Sequence, residues 1–378
     1  MPGVPELVAL ALPGGPTFVD ALRRTWDAGD AAFPLDLRLP APQQERVLAA
    51  MAPSRIVDER GETHERNGGR PTEPGDAVVV ATSGTTGTPK GVVLTHDAVA
   101  ASARATSARI GATSDDHWLA CLPLAHIGGL AVVMRALASG TGLTVHHGFD
   151  LDAVRAACAG GANLTSLVPT AYARIDPAWF RVIVLGGARP PANPAPNVIT
   201  TYGLTETGSG CVYDGRPLDG VEIRIDGTGA VHLRGPMLLR GYRDGARPFD
   251  ADGWFRTGDI GAWREEGRLF IQGREGDLII TGGENVWPDP VELVLARAAG
   301  VAEVAVAGVP DPEWGQVVTA FVVPADPATP PSLDALRDAA RAELAPWCAP
   351  RRLELVAELP RTALGKVQRS VLVAGVTG

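Results

Sequence analysis

The chain has 378 residues, 45% hydrophobic and 20% charged, with a formal net charge of −9. That length holds two or three domains with sizeable cores, and the acidic balance disfavours a nucleic-acid or anionic-membrane partner.

The amino-terminal "MPGVPELVALALPGG" lacks a basic leader and is interrupted by Pro and Gly, and no apolar run is long enough to span a membrane. A cytoplasmic location is expected. Helical patterning covers Thr17–Asp27 and Gln43–Met51, and the polar stretch 58–76, "DERGETHERNGGRPTEPGD", reads as a surface loop. "AVVVATSG" (77–84) reads as a buried strand entering a glycine-rich loop, with a helix expected from about His96. Strand-like runs recur at Trp118–Leu122, Gly142–His146, Leu164–Val168 and Val182–Leu185. Helical stretches at Gly129–Ala138, Leu151–Cys158 and Pro169–Arg174 separate them, an alternation that predicts an α/β fold with parallel strands.

Beyond Gly208 the texture turns β-rich, with a hairpin expected around Asp226–Gly229. The last hundred residues predict a compact α+β unit. Its parts are a helix at Asp289–Ala299, strands Glu303–Gly308 and Val317–Val323, a helix at Leu333–Leu344 capped by Ser332, and a strand at Leu353–Val356. The four cysteines (Cys121, Cys158, Cys211 and Cys348) make no CxxC pair and no metal-spaced cluster with histidine, so they read as buried thiols in a reducing compartment.

Chemistry concentrates first in "ATSGTTGTPKGVVLTH" (Ala81–His96). Walker A loops place lysine directly after glycine and before Ser or Thr, whereas Lys90 follows Pro89 and precedes Gly91. Small residues still let backbone N–H groups approach a polyphosphate, hydroxyls add donors and Lys90 adds charge, so the loop reads as an anion site. Taken alone, a Gly/Thr surface turn is the competing reading.

Five further motifs follow in order: "LPLAHIGG" (Leu122–Gly129), "TYGLTET" (Thr201–Thr207), "GWFRTGDIG" (Gly253–Gly261), "GREGDLIITGGENVWPDPVE" (Gly273–Glu292) and "PRTALGKVQRSVL" (Pro360–Leu372). With the loop they span Thr82 to Leu372 and resemble the adenylate-forming superfamily of acyl- and aryl-CoA synthetases, adenylation domains and luciferases. The resemblance implies a large N-terminal α/β domain (1–275) with parallel sheets and a β-rich subdomain, then a small mobile α+β lid (276–378). It also implies a two-step reaction, in which Mg-ATP adenylates a carboxylate and coenzyme A then displaces AMP. The partners are accordingly a small carboxylic acid, ATP and CoA, with Mg²⁺ as cofactor and a homodimer left open.

The same resemblance distributes roles. Thr82, Ser83, Gly84, Thr85, Thr86, Gly87 and Lys90 would wrap the β- and γ-phosphates; Tyr202 would stack on adenine. Thr205 would touch the α-phosphate, and Glu206 would hold Mg²⁺ with a hard carboxylate oxygen. Asp259 would bind the ribose hydroxyls and Arg274 would assist at the ribose or phosphate, a surface Arg–Asp pair being the alternative. Lys366 would stabilise the reacting carboxylate and α-phosphate. His126 would be a gate or carboxylate-side contact, although Ala125 stands where an aromatic residue is usual. Gly276 would mark the hinge, Gly282 and Gly283 would border the pantetheine path, and Gly186 and Gly187 would line the acid pocket. "LPLAHIGGLAVVMRAL" and "GLTETGSGCVYDGRPLDGVEIRI" are similar to the short o-succinylbenzoate–CoA ligases, implying an aromatic keto acid with two carboxylates. Arg135 is then a candidate for the remote carboxylate, with a helix-surface arginine as the alternative. Another aryl- or short acyl-CoA ligase, or a noncatalytic nucleotide-binding relative, remains open at this point.

Overall fold

The computed structural model describes residues 4–83, 89–361 and 367–377, Ser83 by its backbone alone. The chain divides into two compact units, residues 1–223 with 233–255, and residues 224–232 with 256–378.

The first unit holds two seven-stranded sheets. In one, Leu7–Leu10, Ala31–Pro34, Arg55–Val57 and Asp76–Ser83 run parallel. The first two are fully buried runs, LVAL and AAFP. Such strands, covered on both faces, have no polar alternation to announce them, and the sequence reading passed over both. Helix Pro16–Asp27 presents Phe18, Val19, Ala21, Leu22 and Thr25 to the interior; that spacing makes one apolar stripe. Phe33, Leu48, Met51, Val79 and Val93 share a core cluster beneath this sheet.

The glycine-rich loop departs from the expected strand–loop–helix arrangement. Asp76–Ser83 pairs antiparallel with Pro89–Thr95, with Thr82 opposite Lys90 and Ser83 opposite Pro89, so the loop closes a β-hairpin. The helix begins at His96, where the Ala98 N–H donates to Thr95 Oγ1 at 3.1 Å, and it ends at Gly111 in the left-handed region. Stretch 58–76 is also not all loop, because Thr63–Glu65 pairs with Arg55–Val57.

The second sheet runs parallel through Val198–Leu204, Val182–Leu185, Leu164–Leu167, His117–Ala120 and Gly142–Val145. Ser209–Tyr213 then turns back antiparallel on Val198–Leu204. Gly203 is required there: a Cβ on it would collide with the Ser209 carbonyl across the bulged pair. Helix Ile127–Ser139 is buried from Gly129 to Ala136 and carries one charge in that span, Arg135. Thus the parallel α/β expectation holds, while the strand edges shift by a residue or two.

In the second unit, hairpin residues around 224–232 share a four-stranded sheet with Phe255–Arg264 and Arg268–Arg274. A five-stranded sheet follows, built on the long antiparallel pair Val301–Asp311 and Gly315–Pro324. Alternation along that pair feeds two cores. Val306, Val318, Val322 and Leu336 lie in one, and Ala305, Val309, Phe321 and Leu372 in the other. Helix Leu333–Glu343 starts as predicted, with the Ala335 N–H donating to Ser332 Oγ at 3.2 Å. Helix Pro288–Leu295 stops four residues short of the expected Ala299, and a terminal helix, Arg369–Thr377, was not anticipated.

Arg369 fastens that terminal helix. Its Nε donates to the Val306 carbonyl at 3.0 Å, and its Nη2 reaches Glu292 Oε1 at 2.8 Å, with Asp289 and Asp277 at 3.3 and 3.4 Å. Burial pushes the Glu292 carboxyl above its usual range, and the Arg369 charge opposes that rise. Among the described residues no helix is long and apolar enough to cross a membrane.

Candidate active site

Three chain segments meet at one tyrosine in the first unit. Thr82 and Lys90 face each other at the neck of the glycine-rich hairpin, and Thr82 Oγ1 donates to the Lys90 carbonyl at 3.3 Å. The Lys90 Nζ lies 5.3 Å from the centre of the Tyr242 ring, within cation–π range. The Tyr242 hydroxyl donates to Glu206 Oε1 at 3.0 Å. Backbone bonds fix this meeting. Gly241 and Tyr242 pair with Val93 and Val92, the Arg243 N–H donates to the Gly91 carbonyl at 2.7 Å, and the Leu239 N–H donates to the Glu206 carbonyl at 2.8 Å.

Glu206 sits in the short turn Thr205–Thr207, which Thr207 closes by accepting the Leu204 N–H at 2.8 Å. The Glu206 carboxylate is half-buried, and among the described residues no cationic side chain pairs with it. A hard, anionic oxygen ligand without a counter-charge fits Mg²⁺. Tyr202, half-buried, lies on the strand leading into the same turn. The structure therefore brings Thr82, Lys90, Tyr202, Thr205 and Glu206 to neighbouring strand ends. Gly84, Thr85, Thr86 and Gly87 lie outside the described residues. Tyr242 was missed, because its role arises from tertiary pairing; the only local signal was its position in a short strand-like "RGY".

His126 is the residue before helix Ile127–Ser139. Its Nε2 lies 2.8 Å from Arg38 Nη2 and 3.2 Å from Asp36 Oδ2. Arg38 also clamps Asp36 through two bonds of 2.8 and 2.7 Å. Burial pushes the Asp36 carboxyl up, but the hydrogen bonds from Arg38 outweigh this and hold it well below the usual carboxylate range. Asp36 and Arg38 come from a loop with no motif of its own, and sequence reading gave no hint of them.

Gly186 and Gly187 follow directly on strand Val182–Leu185, and the Thr201 hydroxyl reaches back to the Leu185 carbonyl at 3.2 Å. Arg135 is 2% exposed, so it is not a helix-surface residue. Its Nη2 donates to Ser209 Oγ at 2.7 Å and its Nη1 to Ser166 Oγ at 3.3 Å, and its guanidinium lies 5.8 Å from the Trp118 ring centre. Its Nε is buried without a hydrogen-bond partner. Among the described residues no carboxylate pairs with it, which leaves a desolvated cation held by two neutral hydroxyls.

The second unit holds a group of its own. Asp259, 4% exposed, and Arg274 stand opposite each other on paired strands, with Arg274 Nε at 2.8 Å from Asp259 Oδ1. The Asp259 N–H donates to Thr257 Oγ1 at 3.0 Å. The observed geometry is an ion pair between neighbouring strands, the alternative reading of this pair, and it does not test the ribose role. Gly282 has φ +58 and lies against Trp314, with only 2.7 Å between the ring and where a Cβ would stand. Gly283, φ +85, has open space around it. Lys366 lies outside the described residues.

A family model described as AMP-binding enzyme matches residues 64–243, and one described as AMP-binding enzyme C-terminal domain matches residues 290–366. A Mycobacterium tuberculosis protein named "Probable 2-succinylbenzoate–CoA ligase" is 40% identical over 327 residues, covering 80% of this chain and 85% of its own. A 2-succinylbenzoate–CoA ligase of Listeria monocytogenes is 36% identical over 328 residues, covering 78% of this chain and 69% of its own. Among solved structures, the o-succinylbenzoate CoA synthetase of Bacillus subtilis, in complex with its acyl-adenylate intermediate, superposes with a TM-score of 0.85 at 27% identity. That match covers 97% of this chain and 88% of the other. ATP-bound MatB of Rhodopseudomonas palustris gives 0.86 at 26% identity, covering 99% and 89%.

Proposed function

The chain belongs to the AMP-binding, adenylate-forming enzyme family, and on that premise we propose that it is a 2-succinylbenzoate–CoA ligase of menaquinone biosynthesis acting in the cytoplasm. The reaction converts 2-succinylbenzoate, ATP and CoA into 2-succinylbenzoyl-CoA, AMP and diphosphate. The relatives' names support the acid. The observation in this chain that carries it is Arg135, a buried guanidinium with no carboxylate partner among the described residues. A substrate with a second carboxylate supplies the missing counter-charge, which a monoacid cannot.

In the first step a carboxylate oxygen attacks the α-phosphorus, the bond to the β-phosphate oxygen breaks, and diphosphate leaves. In the second, the CoA sulfur attacks the acyl carbon, AMP leaves with the bonding pair, and the thiol proton is released. Adenylation is needed because a free carboxylate is a poor electrophile. The protein's task is to neutralise phosphate charge and align the acid. Thr82, Ser83, Gly84, Thr85, Thr86, Gly87 and Lys90 hold the β- and γ-phosphates, with Thr205 at the α-phosphate and Tyr202 on adenine. Glu206 holds Mg²⁺, which when bound neutralises phosphate oxygens.

Asp259 takes the ribose hydroxyls, steadied by Arg274. Lys366 stabilises charge developing between the carboxylate and the α-phosphate. His126 contacts the carboxylate side, and Gly186 and Gly187 leave room for the acid. Gly283 and Gly282 leave room for pantetheine, Gly282 being needed also to clear Trp314. A lid of residues 276–378 hinging at Gly276 would carry Lys366 between the two steps, glycine having the backbone freedom a pivot needs.

The test is an acid panel with diphosphate release and CoA-thioester formation followed together. Turnover of 2-succinylbenzoate well above benzoate and short fatty acids is expected. No turnover of it beside brisk turnover of another acid would replace the proposed substrate with that acid and keep the reaction class. Absence of diphosphate release with every acid would point instead to a noncatalytic binder.

A further inference from the structure

Tyr242 lies in none of the motifs that define the family resemblance, yet its side chain contacts two groups from different motifs. Its ring sits beneath Lys90, the cation of the glycine-rich loop, at 5.3 Å from Nζ. Its hydroxyl donates to Oε1 of Glu206 at 3.0 Å. The residue's backbone is pinned on both sides, by pairing of Tyr242 with Val92 and by the Arg243 N–H on the Gly91 carbonyl. These bonds hold the backbone that carries the tyrosine beside the strand of Lys90.

We infer that Tyr242 is a positioning residue that sets the orientation of the Glu206 carboxylate toward a divalent cation and the resting place of the Lys90 ammonium. The inference rests on the assignment of Glu206 to the metal and Lys90 to the phosphates, and it does not depend on which acid is used. A phenol O–H on one carboxylate oxygen fixes the plane of the carboxyl group and directs its other oxygen to a metal. Hydrogen-bond partners of metal-ligating carboxylates act in this way. The ring face meanwhile offers the ammonium an attractive surface that is weaker than a carboxylate ion pair and is readily exchanged for phosphate oxygens. One side chain thus keeps the anionic ligand and the cationic ligand of the same polyphosphate from neutralising each other. Among the described residues Lys90 makes no ion pair with Glu206.

The two halves of this role separate by substitution. Tyr242→Phe keeps the ring and removes the hydroxyl. It is expected to weaken Mg²⁺ by about tenfold or more, read as the Mg²⁺ concentration for half-maximal ATP binding in calorimetry and as Mn²⁺ binding by electron paramagnetic resonance. Binding of ATP in EDTA should stay within twofold of the parent. Tyr242→Leu also removes the ring and is expected to weaken metal-free ATP binding severalfold beyond the phenylalanine variant. Thermal melts of both variants report folding. A Phe variant with parent-like Mg²⁺ and Mn²⁺ titrations and an unchanged melt overturns the inference. So does a Phe variant that loses metal-free and metal-dependent binding alike, since that is the behaviour of a purely structural tyrosine. If Glu206→Gln leaves Mn²⁺ binding intact, the assignment of Glu206 is wrong, an outcome distinct from failure at Tyr242.

Discussion

Arg135→Met replaces a buried guanidinium by an apolar chain of similar length, and two readings of Arg135 predict opposite results. If Arg135 awaits the distal carboxylate of the acid, removing it deletes one partner of a desolvated charge pair formed only in the complex. Such a loss costs about 2–5 kcal/mol. The lower end applies here because Ser166 and Ser209, at 3.3 and 2.7 Å from the guanidinium, remain to solvate the incoming carboxylate. About 2 kcal/mol is about a 30-fold fall in kcat/KM for 2-succinylbenzoate. For a monoacid analogue that keeps the ring, the ketone and the carboxylate that is adenylated but lacks the second carboxylate, the change should stay below about threefold by the same arithmetic. The free enzyme should hold or gain stability, because an unpaired buried charge with an unpartnered Nε has been removed. If Arg135 is instead a brace between helix Ile127–Ser139 and the strands bearing Ser166 and Ser209, the variant should melt lower and lose activity on both acids equally. Steady-state kinetics with the two acids, beside denaturant unfolding, decide the matter. Equal losses with lowered stability refute the carboxylate role.

Two more tests bear on the catalytic lysine and on stability. Lys366→Ala should slow adenylation by about 10²-fold or more, as loss of a transition-state charge stabiliser does, while thioester formation from supplied acyl-adenylate changes little; equal loss of both steps, by single-turnover quench, contradicts the role of Lys366. Asp116 accepts bonds from Arg181 Nε and Nη2 at 2.9 and 2.6 Å, the Thr113 N–H at 2.7 Å and Asn163 Nδ2 at 3.0 Å. Burial pushes its carboxyl up, but these bonds, led by Arg181, hold it below its ordinary value. A lowered folded value means stability that is full above the unfolded carboxylate pKa, about 4, and is lost as pH falls through the folded one. Asp116→Asn should cost about 2 kcal/mol at pH 7, discounted for the half-exposed arginine. The gap should narrow below about pH 4, and a gap constant from pH 7 to 3 in urea unfolding would contradict the assignment.

What the sequence made legible depended on how locally each role is encoded. Lys90, Glu206, Asp259 and Lys366 sit in short ordered motifs, and the structure sets the first two beside one tyrosine and the third against Arg274. Tyr242, Asp36 and Arg38 were invisible because their partners arrive through strand pairing and loop packing from distant parts of the chain. Leu7–Leu10 and Ala31–Pro34 escaped for a different reason: four-residue strands buried on every position look like fragments of any apolar core. The helix start at His96 was legible, but the return strand Pro89–Thr95 was given no element, because a short apolar run between a glycine-rich loop and a helix does not announce its pairing partner. Pattern identifies faces, whereas pairing partners are a property of the assembled sheet.

The contacts of His126 carry one more consequence. A guanidinium can only donate, so a hydrogen bond across the 2.8 Å to Arg38 uses the lone pair of Nε2, whereas one across the 3.2 Å to Asp36 uses a proton on it. One nitrogen cannot serve both partners at once. The loop at residues 36–38 is therefore tied to the tautomer of an imidazole it lies far from in sequence. With Arg38 as the partner, the opposite edge of the ring offers an Nδ1–H donor, and with Asp36 as the partner it offers a lone pair.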